Sequence, residues 1–150
     1  MIKRALWMLS VIGWVVFAHG AMAQTDDAVQ SPRLAKLSAL HKMNVSADVY
    51  LSECDPERRF DPGPYFITNM EATRFFLMRE LAAAREDHDE NKALDDIAKR
   101  ADQIAVEAAR YFRTSGCLTQ KAQAVKAHIE KLGAPRPGQF LEYLREIEKR

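Results

Sequence analysis

The side chains in this sequence with chemical potential are two cysteines, three histidines beyond the apolar N-terminus, and one acidic run. Cys54 and Cys117 are the only cysteines. There is no Cys-x-x-Cys and no Cys-x-x-Cys-His, which removes thioredoxin-like exchange and covalent c-type haem on motif grounds. An even pair without metal-type spacing, in a chain that reads as exported, is expected to close on itself as a disulfide.

His41, His88 and His128 are the metal or haem candidates. No His-x-x-x-His or Glu-x-x-His pair sets two ligands on one helical face. The run Glu86-Asp87-His88-Asp89-Glu90 offers oxygen ligands for a loosely held divalent ion, but such a run also makes an ordinary charged turn. A haem b site needs two axial ligands converging in a core, and His41 or His128 with Met43 or Met70 supplies the residue types. A metal- or haem-b-binding bundle is therefore the alternative reading, and the expectation is no cofactor. No catalytic residue is assigned. The chain lacks Gly-x-Ser-x-Gly and a Gly-rich phosphate loop, so an enzyme would require His, Asp and Arg groups to converge in a cleft that spacing does not reveal.

Binding chemistry is better supplied. Arg58-Arg59-Phe60, Tyr65 and Phe66 lie in a Pro-stiffened loop, and Phe75 and Met78 fall off the main apolar face of the following helix. Aromatic and arginine side chains on a stiff scaffold are the materials of an interface hot spot. The competing expectation is that the aromatics pin the loop and the arginines pair with Glu53, Asp55 or Glu57.

The elements that must hold these residues read as helices. Ser31-Pro32 is a helix start, and Leu34, Leu37, His41, Val45 and Val49 recur on one face to about Ser52. Residues 55–66, with three prolines and a glycine, are a loop. Thr68 to Glu71 has the form of a capping box opening a second helix, with Met70, Thr73, Leu77, Leu81 and Ala84 inward. A turn is expected at 86–91, with Asp87 and Glu90 as a new cap pair. A third helix then carries Leu94, Ile97, Ala98, Ala101, Ile104, Ala105, Ala108 and Phe112 and stops at Gly116. Thr119 caps a fourth, with Ala122, Val125, Ile129 and Leu132 inward and Gly133 as its stop. A stiff connector leads to a short fifth helix bearing Phe140, Tyr143, Leu144 and Ile147. No alternating strand pattern or hairpin signal competes. The fold class is all-α, a small disulfide-stapled bundle of four to five helices, with the bridge joining the end of the first helix to the turn after the third.

The address is read from the N-terminus. Lys3 and Arg4 precede the apolar run Ala5–Ala18, and Ala21-Met22-Ala23 gives a small-x-small cleavage pattern. Residues 1–23 are expected to be a cleaved signal peptide, 24–31 a flexible segment, and 32–150 a single helical domain. The apolar run is short for a bilayer span, so no stable membrane insertion is expected after cleavage. The expected location is periplasmic or secreted. A net charge of +1 gives no electrostatic case for nucleic acid.

Leu118-Thr119-Gln120-Lys121-Ala122 resembles the Leu-Thr-x-x-Gln motif of a family of helical periplasmic chaperones, with Ala122 in place of the final Gln. The general plan resembles small disulfide-bearing helical immunity proteins, by architecture alone. Neither likeness assigns a family. The functional expectation is a non-enzymatic exported protein acting by protein–protein interaction, as an envelope binding, chaperone-like or inhibitor-type module. Its partner would be an envelope or periplasmic protein, or a second copy in a homodimer.

Overall fold

The computed structural model describes residues 31–147. The expected signal peptide and residues 24–30 lie outside the described residues. Among those described there are five α-helices, one 3-10 turn and no strand. The helices are α1 (Pro32–Glu53), α2 (Phe66–Ala83), α3 (Glu90–Ser115), α4 (Gln120–Gly133) and α5 (Pro137–Glu146), with the 3-10 turn at Arg58–Phe60.

The starts of the first four helices follow the expected local chemistry with two exceptions. Ser31 Oγ accepts the Leu34 N–H at 3.1 Å, and Pro32 occupies the first turn, where its missing N–H has no intrahelical partner to lose. Thr119 Oγ1 accepts the Ala122 N–H at 3.2 Å to open α4. The first exception is α2, which starts at Phe66 with no side-chain cap, so the Thr68 capping box does not form. Phe66 is 0 % exposed, and its burial draws the helix start two residues upstream. The second is α3, which is capped by Asp89, not Asp87. Asp89 Oδ1 accepts from Asn91 N at 2.9 Å and Lys92 N at 3.2 Å.

The central elements are α1 and α2, which run antiparallel, with Arg33 paired to Glu80 at 2.9 Å. α3 packs on both and runs parallel to α1, as the Arg113–Glu53 ion pair near their C-terminal ends shows. α4 packs on α1 and α2, and meets α3 near their turn, where Tyr111 Oη donates to Thr119 Oγ1 at 2.9 Å. α5 packs chiefly on α2.

The buried face of α1 follows the helical repeat, not the apolar residues. Val45 and Val49 continue His41 at steps of four and drift off a 3.6-residue face, so they are half-buried. Asn44, Ala47, Tyr50 and Leu51 take the core positions. On α4 the expected Ala122, Val125, Ile129 and Leu132 are all buried. On α3 only Ala93, Ile97 and Phe112 are buried, and Ala98 is exposed, because no further helix among the described residues covers that edge.

Cys54 and Cys117 are bonded, with their Cα atoms 5.6 Å apart. The bridge ties the end of α1 to the α3–α4 turn. Gly116 ends α3 with a φ of +86°, a conformation that side-chain-bearing residues rarely adopt. A second tie joins the α1–α2 connection to α4. Gly63, at φ +129°, lies against Gly133, and a Cβ on Gly133 would sit 3.0 Å from the Pro62 carbonyl oxygen. Tyr65 N–H donates to the Gly133 carbonyl at 3.3 Å across the same contact.

Candidate interaction surface

Residues 54–65 leave α1 at the disulfide and travel along α4 to the start of α2. Arg58 reaches Glu130 of α4 at 3.5 Å, so it does not pair with Glu53, Asp55 or Glu57; Glu53 is held by Arg113. That hydrogen bond keeps the Glu53 carboxyl below its ordinary pKa. The connection is thus fixed by the bridge, the Arg58–Glu130 pair and the Gly63–Gly133 contact. Phe60 projects from it, 92 % exposed, with Arg59 also exposed. Leu118 projects from the other disulfide-tied segment, 90 % exposed, between Cys117 and the cap Thr119.

The expected interaction residues therefore separate into two groups. Phe66 and Met78 are core, the latter 6 % exposed, and leave the surface list. α2 has neighbours on several sides, so its wide apolar arc is largely spent on α1, α3, α4 and α5. Tyr65 is half-buried beside α4. Phe75 is 51 % exposed, its ring edge-on to Phe76 at 6.0 Å and the Arg79 guanidinium 5.9 Å from its centroid. Phe60, Arg59 and Phe75 remain on the surface, with Arg58 half-buried. Leu118 was missed by periodicity, because it belongs to neither flanking helix. Its place between a disulfide cysteine and a helix cap was the signal for an outward residue.

The histidines lie on three different elements. His88 sits in the α2–α3 turn at φ +49°, its Nδ1 3.3 Å from the Ala82 carbonyl. The two aspartates of the acidic run around it are paired with neighbouring cations. Asp87 accepts from Lys92 Nζ at 2.7 Å and Arg85 Nε at 3.1 Å, and Arg85 also reaches Asp96 at 2.9 Å. The Lys92 hydrogen bond, then that of Arg85, holds the Asp87 carboxyl far below the usual carboxylate range. Among the described residues no three His, Cys, Asp or Glu side chains gather as a metal-ligand set.

His41 and His128 are inward. His128 Nε2 lies 2.8 Å from Asn44 Oδ1, joining α4 to α1, so the proton resides on Nε2 in this pairing. Burial lowers the pKa of both rings; Arg74 lowers His41 further against an opposing Glu71, and Lys131 lowers His128 further. Among the described residues His41 Nε2 and Asn44 Nδ2 find no hydrogen-bond partner, although both are buried. His41, Arg74 and Asp102 do line one cleft, together with Met70, so residue types suited to acid–base work or haem ligation meet there. The cleft measures about 260 Å³. That is below the ~300–1,000 Å³ of drug-sized pockets, and too small for a haem macrocycle.

Among the described residues no helix is long and apolar enough to cross a membrane. No known protein family, curated protein or solved structure matches the chain.

Proposed function

We propose that this chain is an exported, non-enzymatic helical module that binds another protein of the cell envelope through its disulfide-tied end. The observation that carries this reading is the near-complete exposure of Phe60 and Leu118 on the two connections the Cys54–Cys117 bridge ties together. Burying a side chain of this size is worth about 1.5–3 kcal/mol. A chain with a full core has no folding reason to hold two of them out on braced turns.

Bracing also favours recognition, because a pre-ordered loop loses little conformational freedom on binding. Arg59 beside Phe60 adds a cation and a planar donor set to the apolar contact. Phe75 and Arg79 on α2 are a second, smaller group of the same chemistry. The partner surface would offer an apolar recess with an acidic rim. A second copy of the chain is the simplest partner to test alongside envelope proteins.

The test replaces Phe60 and Leu118 with Asp in the secreted protein, then measures assembly by light scattering and partner capture from envelope extract. Capture or assembly is expected to fall at least tenfold with the helical circular dichroism unchanged. Undiminished capture by the double variant would refute the assignment.

A further inference from the structure

A separate feature lies between α1, α4 and α5, on a part of the molecule that the interaction surface does not use. α5 packs chiefly on α2 and leaves a groove of about 350 Å³ toward α1 and α4. Its walls are Leu40 of α1, Leu132 and Pro135 of α4 and its connector, and the rings of Phe140 and Tyr143, tilted at 39° with centroids 5.9 Å apart. The volume is in the range of pockets that take drug-sized ligands, which are likewise mostly apolar with a few placed polar groups.

The polar side chains lining the groove are those of His128, Lys131, Gln139 and Tyr143. Among the described residues Lys131 is the only formally charged one lining the groove, and no carboxylate of theirs lines it. Burial, and then Lys131, lowers the His128 pKa, and its Nε2 is engaged with Asn44 at 2.8 Å. Gln139 uses its Oε1 to accept the Arg136 N–H at 3.2 Å, a bond that does not engage its two amide donors. The start of α5 adds to the same sign. Arg136 stands at the cap position, where an acceptor side chain would usually sit, and the first turn contains no acidic residue.

We infer that this groove binds a small amphiphilic monocarboxylate, with its apolar body between Leu132, Phe140 and Tyr143 and its carboxylate at Lys131 and the Gln139 amide. The charge complementarity selects this class. An amine would meet Lys131 without a counter-charge, and a neutral alkane would leave the lysine unused. Anchoring is by charge-assisted hydrogen bonds from Lys131 and the Gln139 amide together with apolar contact, with no covalent step.

The test uses the full chain as expressed and purified, with decanoate, decan-1-ol and decylamine as probes and amide NMR shifts as the readout. Decanoate is expected to bind most tightly and to shift the signals of Lys131, Gln139, Phe140 and Tyr143 together. Lys131→Met is expected to weaken decanoate at least tenfold while leaving decan-1-ol unchanged, and its exposed position spares the fold. Equal affinity for decanoate and decan-1-ol, or insensitivity of decanoate to Lys131→Met, would overturn the inference. So would shifts of the same signals on dilution without any probe, which would give the groove to a second copy of the chain. Loss of decanoate binding with Phe60 and Leu118 intact, or the reverse, separates this site from the protein-binding surface.

Discussion

Replacing Asn69 with Leu removes the bond that closes the C-terminal end of α4. The Asn69 side chain is buried in α2, and its amide donates to the carbonyls of Leu132 at 2.7 Å and Pro135 at 2.9 Å. A helix end leaves its last carbonyls without intrahelical donors, and this amide supplies two from another helix. Leucine has a similar volume and no donor. The Leu132 carbonyl would then be buried without a partner, at about 1–3 kcal/mol, and the partly exposed Pro135 carbonyl would turn to water at about 0–1 kcal/mol. Against this, Asn69 Oδ1 is itself buried without a partner, and its removal returns roughly 1 kcal/mol. The net expectation is a loss of about 1.5 kcal/mol, roughly twelvefold in the folding equilibrium. Urea unfolding followed by circular dichroism should show the midpoint fall by about 1 M at a typical slope for a small protein. Asn69→Asp should lose more, because it sets carboxylate oxygens against both carbonyls. A Leu variant within 0.5 kcal/mol of the parent, or an Asp variant no worse than Leu, would refute the reasoning.

The other expectations are as follows. Opening the bridge with Cys54→Ser and Cys117→Ser, across a separation of 63 residues, should lower stability by about 4 kcal/mol in the chain-entropy treatment; an unchanged urea midpoint would contradict it. Gly133→Ala should destabilise by about 1–3 kcal/mol, since its Cβ meets the Pro62 and Gly63 backbone, whereas Gly138→Ala meets nothing within 4 Å and should be neutral or better; parallel thermal melts compare them. Both buried histidines have lowered pKa values, so in mild acid the unfolded chain takes up protons that the fold refuses. Stability should therefore fall as pH drops below about 6.5, by at most about 1.4 kcal/mol per pH unit for each histidine, and level off below the folded values. Urea midpoints at several pH values check this, and a His128→Gln variant should show a shallower decline.

Much of the helical plan was legible because it depends on local chemistry. Ser31, Thr119, Gly116 and the four inward residues of α4 need only neighbours three and four positions away. What the sequence hid was long-range. Asn69 and Asn44 sit in the core because of carbonyls and a ring more than sixty positions distant, and a hydrophobic periodicity passes over both. Phe66 and Met78 read as spare because the neighbours that bury them are other helices. Ala98 read as core because a stripe of alanines does not reveal that no helix among the described residues covers its edge. The α2–α3 turn was visible as a break in apolar pattern expected at 86–91, but it lies at 84–89, and its cap, Asp89, is one of four acids that composition does not rank. For the candidate surface, Phe60 and Arg59 followed from type and loop, whereas Leu118 emerged only from its position between the bridge and a cap.

The most direct measurement places a photoactivatable phenylalanine analogue at Phe60, at Leu118 and, as a control, at the exposed Lys99 of α3, in cells that export the protein. Irradiation should give the same discrete adduct from positions 60 and 118 and none from 99. Adducts of equal yield at all three positions, or none at 60 and 118, would contradict a recognition surface at the disulfide-tied end.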